Sequence, residues 1–183
     1  MLELEACRCD LEGWHGLVLN APRRWRQESH AFQCWVAGLS HHEDAAQDPS
    51  FAPGRVLALV AEPDNPVDER AVAVWNEART PQIGYVSASV AHEVPPVSAE
   101  RFAVALGELI EDGRRRRLEV LISREPCAIR VTHEPDDPCR HRSAGRERQA
   151  RRHLEADRAG REPHEDPFEQ MVREWRGSSH ERE

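Results

Sequence analysis

The residues best suited to chemistry lie in one short stretch, EPDNPVDERAVAVW (62–75). Its polar side chains, on Glu62, Asp64, Asn65 and Asp68, can exchange hydrogen bonds at a single corner of the chain. A pair of carboxylates is also what general acid–base catalysis uses. A turn explains these residues fully, because Asp64 and Asp68 can accept hydrogen bonds from nearby backbone N–H groups and the two prolines stiffen the loop. The sequence therefore predicts a rigid polar corner and assigns no catalytic group.

Two arginine clusters are candidate phosphate-binding sites. One is a run of four residues, Arg114, Arg115, Arg116 and Arg117, and the other is PRRWR (22–26), which contains Arg24 and Trp25. Arginine beside an aromatic ring suits single-stranded nucleic acid, because the guanidinium pairs with phosphate while the ring stacks on a base. The alternative is that both clusters are solvated surface, as charge runs often are.

Composition excludes several enzyme classes. All 25 basic residues are arginine, so the chain has neither a phosphate-binding loop lysine nor a Schiff-base lysine. The G-x-S-x-G and H-E-x-x-H motifs of hydrolases and zinc proteases are also missing from the sequence. We therefore expect a protein that is not an enzyme. The net charge of −8 argues against general affinity for nucleic acid.

The five cysteines and ten histidines show no zinc-site spacing. Cys7-x-Cys9 is the tightest group, but paired C-x₂-C or H-x₃₋₅-H motifs do not occur. We expect neither a metal nor a cofactor, with zinc binding as the minor alternative. No signal peptide or long apolar segment is evident, which predicts a cytoplasmic protein with reduced cysteines.

The periodicity of the central region predicts a mainly β fold. Alternating apolar residues indicate strands at 30–39, 55–63, 70–77 and 82–87, followed by a short helix at 87–94. Residues 101–124 fit either a helix or a hairpin, and the Asp-Gly pair within them favours the hairpin. The sum is about six short strands and one short helix, which suggests a small twisted barrel, OB-like or SH3-like.

Charge and composition divide the chain into three parts. Residues 1–29 form an N-terminal extension that has room for one added strand, and 30–132 form the folded domain. The tail, 133–183, holds 13 acidic residues and 11 arginines, so we expect it to be largely disordered or a solvated helix. Within it, 166–175 predicts an amphipathic helix with an apolar face of Phe168, Met171, Val172 and Trp175. That helix either docks on a partner or folds back on its own domain.

The corner and the strands around it resemble the HIRAN domain family. The family pattern is E-P-x-N-P-x-D, then A-[IV]-x-V, then I-G-Y-[LV] and a small helix ending in Ala. The matching residues are Glu62, Pro63, Asn65, Pro66, Asp68, Ala71, Val72, Val74, Ile83, Gly84, Tyr85 and Ala91. Many fixed positions recur in the right order, and the resemblance covers about 30–125.

This resemblance implies a β-rich, OB-like module that recognises the free 3′ end of single-stranded DNA. Such modules occur alone in bacteria and fused to helicases in eukaryotes. By position, Asn65 and Asp68 would contact the terminal nucleotide, while His41, His42 and Tyr85 would line its pocket. Val67 stands where the family often has a tyrosine that packs on a base, and the two histidines replace a tyrosine pair.

The sequence therefore supports a non-catalytic nucleic-acid-binding module, acting on single-stranded DNA or its 3′ end in DNA repair or processing. The alternative is a protein-interaction adaptor that has lost DNA binding. A weaker alternative is an accessory domain, zinc-binding or not, that works with a separate helicase or nuclease recruited through the 166–175 helix.

Overall fold

The computed structural model describes residues 2–11, 13–19, 31–88, 102–132 and 138–159, and all structural statements refer to these ranges. The short helix expected at 87–94 lies almost wholly outside them. The described chain divides into two units, 1–150 and 151–183. All nine strands belong to the first unit, and the second contains the end of the helix. Within these ranges, no helix combines the length and apolar character needed to cross a bilayer.

Nine strands form a single sheet. Their bounds are β1 Leu2–Leu11, β2 Trp14–Leu19, β3 Phe32–Ala37, β4 Val56–Ala61, β5 Val72–Asn76, β6 Gln82–Val86, β7 Phe102–Glu111, β8 Arg114–Ser123 and β9 Cys127–Thr132. Three short 3₁₀ turns, Leu39–His41, Ala45–Gln47 and Pro49–Phe51, occupy the segment between β3 and β4, which the sequence predicted to be a loop. One helix, α1, covers Pro138–Arg158.

Six of the strands close into a barrel. The order is β4-β5-β6-β3-β8-β7, and β4 pairs with β7 to complete the circle. Each of these pairings is antiparallel. The mainly β barrel of six strands that the sequence predicted is therefore confirmed. The hairpin alternative for 101–124 is also the observed one, with β7 and β8 joined through Asp112 and Gly113.

The N-terminal segment extends the sheet beyond the barrel. It forms two strands rather than the one expected, because β1 and β2 fold into an antiparallel hairpin. β2 then pairs with β7, and β9 pairs with β1 in parallel. The pairing of β2 with β7 places Gly16 opposite Gly107. A Cβ on either glycine would lie 2.7 Å from the fully buried ring of Trp14.

Two apolar clusters fill the two parts of the sheet. The barrel core contains Phe51 and Ile83 with small or branched apolar residues from the other barrel strands, such as Val36, Leu57, Val74, Ala103 and Val120. A smaller cluster under the added strands contains Leu4, Ala6, Leu17, Ala31, Leu106 and Leu121. Leu106 and Leu121 belong to β7 and β8, so successive residues of one hairpin serve both cores, as the two-residue period of a strand requires.

A buried ion pair attaches the segment between β3 and β4 to the barrel. Arg115 Nε donates to Glu108 Oε2 at 2.6 Å, and both side chains are about nine-tenths or more buried. The same guanidinium donates through Nη1 to the carbonyl oxygens of Ala46 and Asp48, at 3.2 and 3.3 Å. Arg115 therefore holds the 3₁₀ turns in place from within the hairpin.

The first part of the tail is not disordered, because helix α1 occupies it. There the solvated-helix alternative describes the structure better. Within the first unit, Arg146 donates to Glu119 Oε1 at 2.6 Å and to Gln33 Oε1 at 2.7 Å, and Ala150 is fully buried. These polar contacts replace the apolar stripe that usually fixes a helix on a sheet. Residues 166–175 lie outside the described residues.

Gly84 gives the first stability prediction. A Cβ at this position would overlap the carbonyl oxygen of Ala37 and lie 2.8 Å from Val36 Cγ1, where β6 runs beside β3. We expect Gly84→Ala to lower the free energy of unfolding by about 2–4 kcal/mol, because backbone must move to relieve the overlap. Urea denaturation measures it. Gly113→Ala is the matched control for space, since no atom lies within 4 Å of a Cβ there; an equal loss in both variants would contradict the argument.

The Glu108–Arg115 pair gives a second stability prediction. Glu108→Ala leaves a buried guanidinium without its counter-charge, and we expect a loss of about 3 kcal/mol in unfolding free energy. Glu43→Ala removes the exposed partner of Arg114, 3.6 Å away, and should cost less than about 1 kcal/mol. Denaturation of the two variants side by side checks the difference, and similar losses would show that burial does not govern the pair.

Candidate nucleic-acid interface

The corner between β4 and β5 is an ordered loop held by its own backbone. Glu62 N donates to Ala71 O at 2.9 Å, which continues the β4–β5 ladder past the end of the strands. Asn65 N donates to Glu62 O at 3.0 Å, and Ala71 N donates to Asp68 O at 2.9 Å. These two turns, one on each side of Pro66, close the corner without help from the rest of the protein.

The side chain of Asn65 completes the turn. Its Oδ1 accepts from the backbone N–H groups of Val67 and Asp68, at 3.0 and 3.3 Å, and its Nδ2 donates to Glu62 Oε2 at 3.0 Å. Asp68 Oδ1 accepts from Arg70 N at 2.8 Å, as an Asx turn would. The sequence predicted such bonds at Asp64 and Asp68; the second is present, and Asn65 makes the other.

Glu62 connects the corner to the barrel wall. The hydroxyl of Tyr85, on β6, donates to Glu62 Oε2 at 3.1 Å. That oxygen therefore receives two donors, one from a neighbouring strand and one from the turn. Sequence reasoning did not include Glu62 among the site residues, although its place as the first residue of the corner motif and a charged residue at the end of a strand was a usable signal.

A groove opens beside Tyr85. It has a volume of about 400 Å³ and is lined by His41, His42, Glu43, Asp44, Ala45, Pro81 and Gln82. The ring of His42 lies 6.4 Å from that of Tyr85, centroid to centroid, and is tilted by 60°. His41 and His42 thus line the groove, His42 lies near Tyr85, and Glu62 links Tyr85 to Asn65.

The surroundings of His42 shift the pKa of its imidazole. Partial burial lowers its pKa below the ordinary 6.5, the neighbouring His41 lowers it further, and Glu62 opposes both effects. His42 is consequently neutral at pH 7, when its ring can stack or exchange hydrogen bonds without carrying charge.

Val67 marks the outer tip of the corner. Its side chain is 93% exposed, the most exposed large apolar residue among those described. Because Asn65 fixes the backbone N–H of Val67, this apolar group projects from a rigid loop into solvent.

The arginine run does not form one basic surface. Arg114 is exposed and faces the groove residue Glu43, while Arg115 is buried against Glu108. Arg117 is only 6% exposed and Arg116 is half-buried. The register with β7 shifts between the partners of Arg117 and Arg115, so the burial of these two residues does not follow simple strand alternation. The expectation that all four could meet phosphate is therefore corrected for Arg115 and Arg117.

Several expectations concern other parts of the chain. Arg24 and Trp25 lie outside the described residues, as do Phe168, Met171, Val172 and Trp175. Among the described residues, no group of three His, Cys, Asp or Glu side chains is placed to hold a metal ion. Cys7 is disulfide-bonded, whereas Cys9, Cys34 and Cys127 are not, so the expectation of five reduced cysteines is wrong at Cys7.

A comparison with protein-family models agrees with the corner motif. The family model described as "HIRAN domain" matches residues 29–134. Two solved structures are similar: the HIRAN domain of human HLTF, with 18% identity and a TM-score of 0.35, and a structural-genomics protein from Lactobacillus plantarum, with 17% identity and a TM-score of 0.36. Each alignment covers 50% of this chain, and 74% and 92% of the respective structures. Among curated proteins, none matches the chain.

The family match spans more than half of the chain and contains the barrel strands, the corner and the groove. The residues that define the corner motif are also those that make its hydrogen bonds. This chain therefore belongs to the HIRAN domain family.

Proposed function

We propose that this chain binds single-stranded DNA at its 3′ end, in DNA repair or processing, and catalyses no reaction. The HIRAN domain is a DNA-binding module rather than a catalytic one. The observation that carries the finer proposal is the junction of a rigid, acceptor-rich corner with a groove bordered by aromatic rings. Glu62 Oε2 lies at that junction, bonded to both Asn65 and Tyr85.

The two halves of the site supply different contacts. Tyr85 and His42 offer ring faces on which a base can stack, which is worth about 1–3 kcal/mol per base. The corner offers carboxylate oxygens, which accept hydrogen bonds and donate none when ionised. A terminal 3′-hydroxyl is a donor, whereas a 3′-phosphate at the same place would meet like charge. The site therefore suits an unpaired end that carries a free hydroxyl.

Phosphate contacts come from few residues in this proposal. Arg114 is exposed and forms an ion pair with the groove residue Glu43, at 3.6 Å. Arg116 is the other partly accessible member of the run. On the basis of their sequence alone, Arg24 and Trp25 remain candidates for contacting the rest of the DNA strand.

One observation favours a second candidate, an adaptor that binds protein. Glu43 and Asp44 line the groove, and the chain has a net charge of −8, which disfavours phosphate. In that case a helicase or nuclease partner would dock through Phe168, Met171, Val172 and Trp175. The two candidates differ in whether the groove binds DNA at all.

Fluorescence anisotropy with a short labelled strand decides between them. We expect binding to a single strand with a 3′-hydroxyl, weaker binding with a 3′-phosphate, and weakest binding to a blunt duplex. His42→Ala should weaken binding of the first strand about tenfold through lost stacking, whereas His15→Ala, on the exposed β1–β2 hairpin, should not. If no strand binds even at low salt, the DNA proposal is wrong and the adaptor stands.

The lowered pKa of His42 predicts a pH dependence. In the free protein the ring becomes charged only below its ordinary pKa of 6.5, and a nearby phosphate favours the charged form. DNA affinity should therefore rise as pH falls from 7.5 to 5.5, by about fivefold for a charge pair worth about 1 kcal/mol. His42→Gln should flatten this rise, and His15→Gln should retain it.

Stability changes in the opposite direction over the same range. Because the folded pKa of His42 lies below the unfolded value, the unfolded chain takes up protons more readily below pH 6.5. The contribution of His42 to stability therefore falls as pH falls. Circular dichroism at each pH confirms that the protein is still folded, and an affinity that falls on acidification in the folded protein would contradict the prediction.

A further inference from the structure

Strand β9 is the last strand of the sheet. It pairs in parallel with β1 and, within the described residues, with no other strand. One edge of Cys127–Thr132 therefore presents backbone N–H and C=O groups that no neighbouring strand pairs, over a length of about 20 Å. An edge of this kind can hydrogen-bond to an extended segment of another chain.

One face of β9 borders an apolar cleft of about 180 Å³. The cleft is lined by alternate residues of β9, Cys127, Ile129 and Val131, and by Leu17, Val56 and Val104 from β2, β4 and β7. Val56 and Val131, which are 45% and 39% exposed, are two of the three exposed large apolar residues that the structure describes. Burial raises the pKa of Cys127 to about 11, so its thiol is uncharged at neutral pH and adds to the apolar wall.

Arg8 is the one charged residue among the described residues that line the cleft. The register of β1 with β9 pairs Cys7 with Thr132, so Arg8 lies just beyond the end of β9. Its side chain is exposed and forms no ion pair or hydrogen bond with the part of the chain that the structure describes. The cleft therefore has an available cation at one end, where it can pair with a carboxylate.

The opposite face of β9 leaves this edge accessible. Ala128 and Arg130 alternate with the cleft residues and are exposed. A charged residue on an edge strand opposes pairing when it points inward, but Arg130 lies on the face away from the cleft, beside Glu5 in the register with β1. Its charge therefore does not meet the cleft side of an added strand.

We propose that β9 binds an extended segment of a partner protein as an added strand, with alternate apolar side chains in the cleft and an acidic residue paired with Arg8. A lipid acyl chain fits less well, because it cannot hydrogen-bond to the open backbone edge. A second copy of β9 fits less well too, because CAIRVT has no carboxylate for Arg8. Val56, at the cleft, and Ala61, next to the corner, are opposite ends of β4, about 17 Å apart, so the inference is independent of DNA binding.

Fluorescence anisotropy with a labelled peptide, Ser-Asp-Thr-Val-Thr-Val-Thr-Asp-Ser, tests the pairing with Arg8. The peptide reads the same in both directions, so it can present an acid to Arg8 as a parallel or an antiparallel strand. The wild type should bind it about fivefold more tightly than the same peptide with Asn in place of Asp, as for an exposed ion pair. Arg8→Glu should abolish or reverse this preference, whereas Arg130→Glu, the same change on the other face of the sheet, should retain it.

Strand addition itself is tested with peptides that are N-methylated at alternate residues. Alternate N–H groups of a strand point toward the same neighbouring strand. Methylation of one alternate set should therefore abolish binding, while methylation of the other set should leave it nearly unchanged. Because only the peptide is altered here and in the comparison of Asp with Asn, both measurements hold even if Arg8→Glu does not fold.

Other results would overturn the proposal. Equal binding of the Asp and Asn peptides would reject the role of Arg8, and equal effects of the two methylation sets would reject strand addition. If decanoate displaces the peptide and both methylated peptides bind, the cleft takes an acyl chain instead. If the peptide does not bind, the proposal is wrong, and a dimer in analytical ultracentrifugation would then assign the edge to a second copy.

Discussion

One edge of β7 has to serve two strands, and the rest of the structure depends on how it does so. Its other edge pairs with β8 along almost its whole length. The shared edge pairs first with β4, at Ala103 and Val104, and then with β2, from Gly107 onward. A register shift between Ala105 and Gly107 marks the change of partner. β4 begins at this point, with Val56 opposite Val104, so one edge of β7 both closes the barrel and carries the added strands.

Barrel closure also fixes the geometry of the proposed site. Closing the circle through β4 positions the far end of that strand, where Glu62 begins the corner. On the opposite side of the site, the close approach of Gly84 to β3 sets Tyr85 opposite Ala37, next to the segment that carries His42. The ring and the carboxylate thus meet because two strands of a closed sheet bring them together. A site assembled in this way is ordered before a ligand arrives, which reduces the entropic cost of binding.

The parts of this architecture that were predictable are those with local signals. Alternating apolar residues indicated the barrel strands, and the Asp-Gly pair indicated the β7–β8 turn, where Asp112 and Gly113 have φ angles of 53° and 71°. The corner was predictable as a turn because proline and Asx chemistry act over a few residues. Its use of Asn65 rather than Asp64 was not, since the choice depends on which side chain reaches Glu62.

What sequence reasoning missed depends on contacts between distant segments. The run Arg114–Arg117 consists of four identical residues, so only the structure shows that Arg115 and Arg117 are buried, Arg115 against Glu108. Helix α1 lacks an apolar stripe. The part of it that belongs to the first unit is attached by Arg146, whose partners Gln33 and Glu119 are on β3 and β8. Polar attachments of this kind leave no periodic signal, and a charged segment that uses them is read as disordered.

The acidic character of the chain bears on which kind of DNA contact is physically reasonable. For single strands, affinity falls with salt at a slope of about −0.7 for each phosphate neutralised. A chain with a net charge of −8 is poorly suited to neutralising many phosphates, as coating a duplex would require. Recognition of one terminal nucleotide needs only one or two such contacts and obtains the rest of its free energy from stacking and hydrogen bonds. The acidic groove residues Glu43 and Asp44 are therefore less unfavourable for the proposed end recognition than for coating a duplex, so the charge that argues against general nucleic-acid affinity is compatible with that proposal.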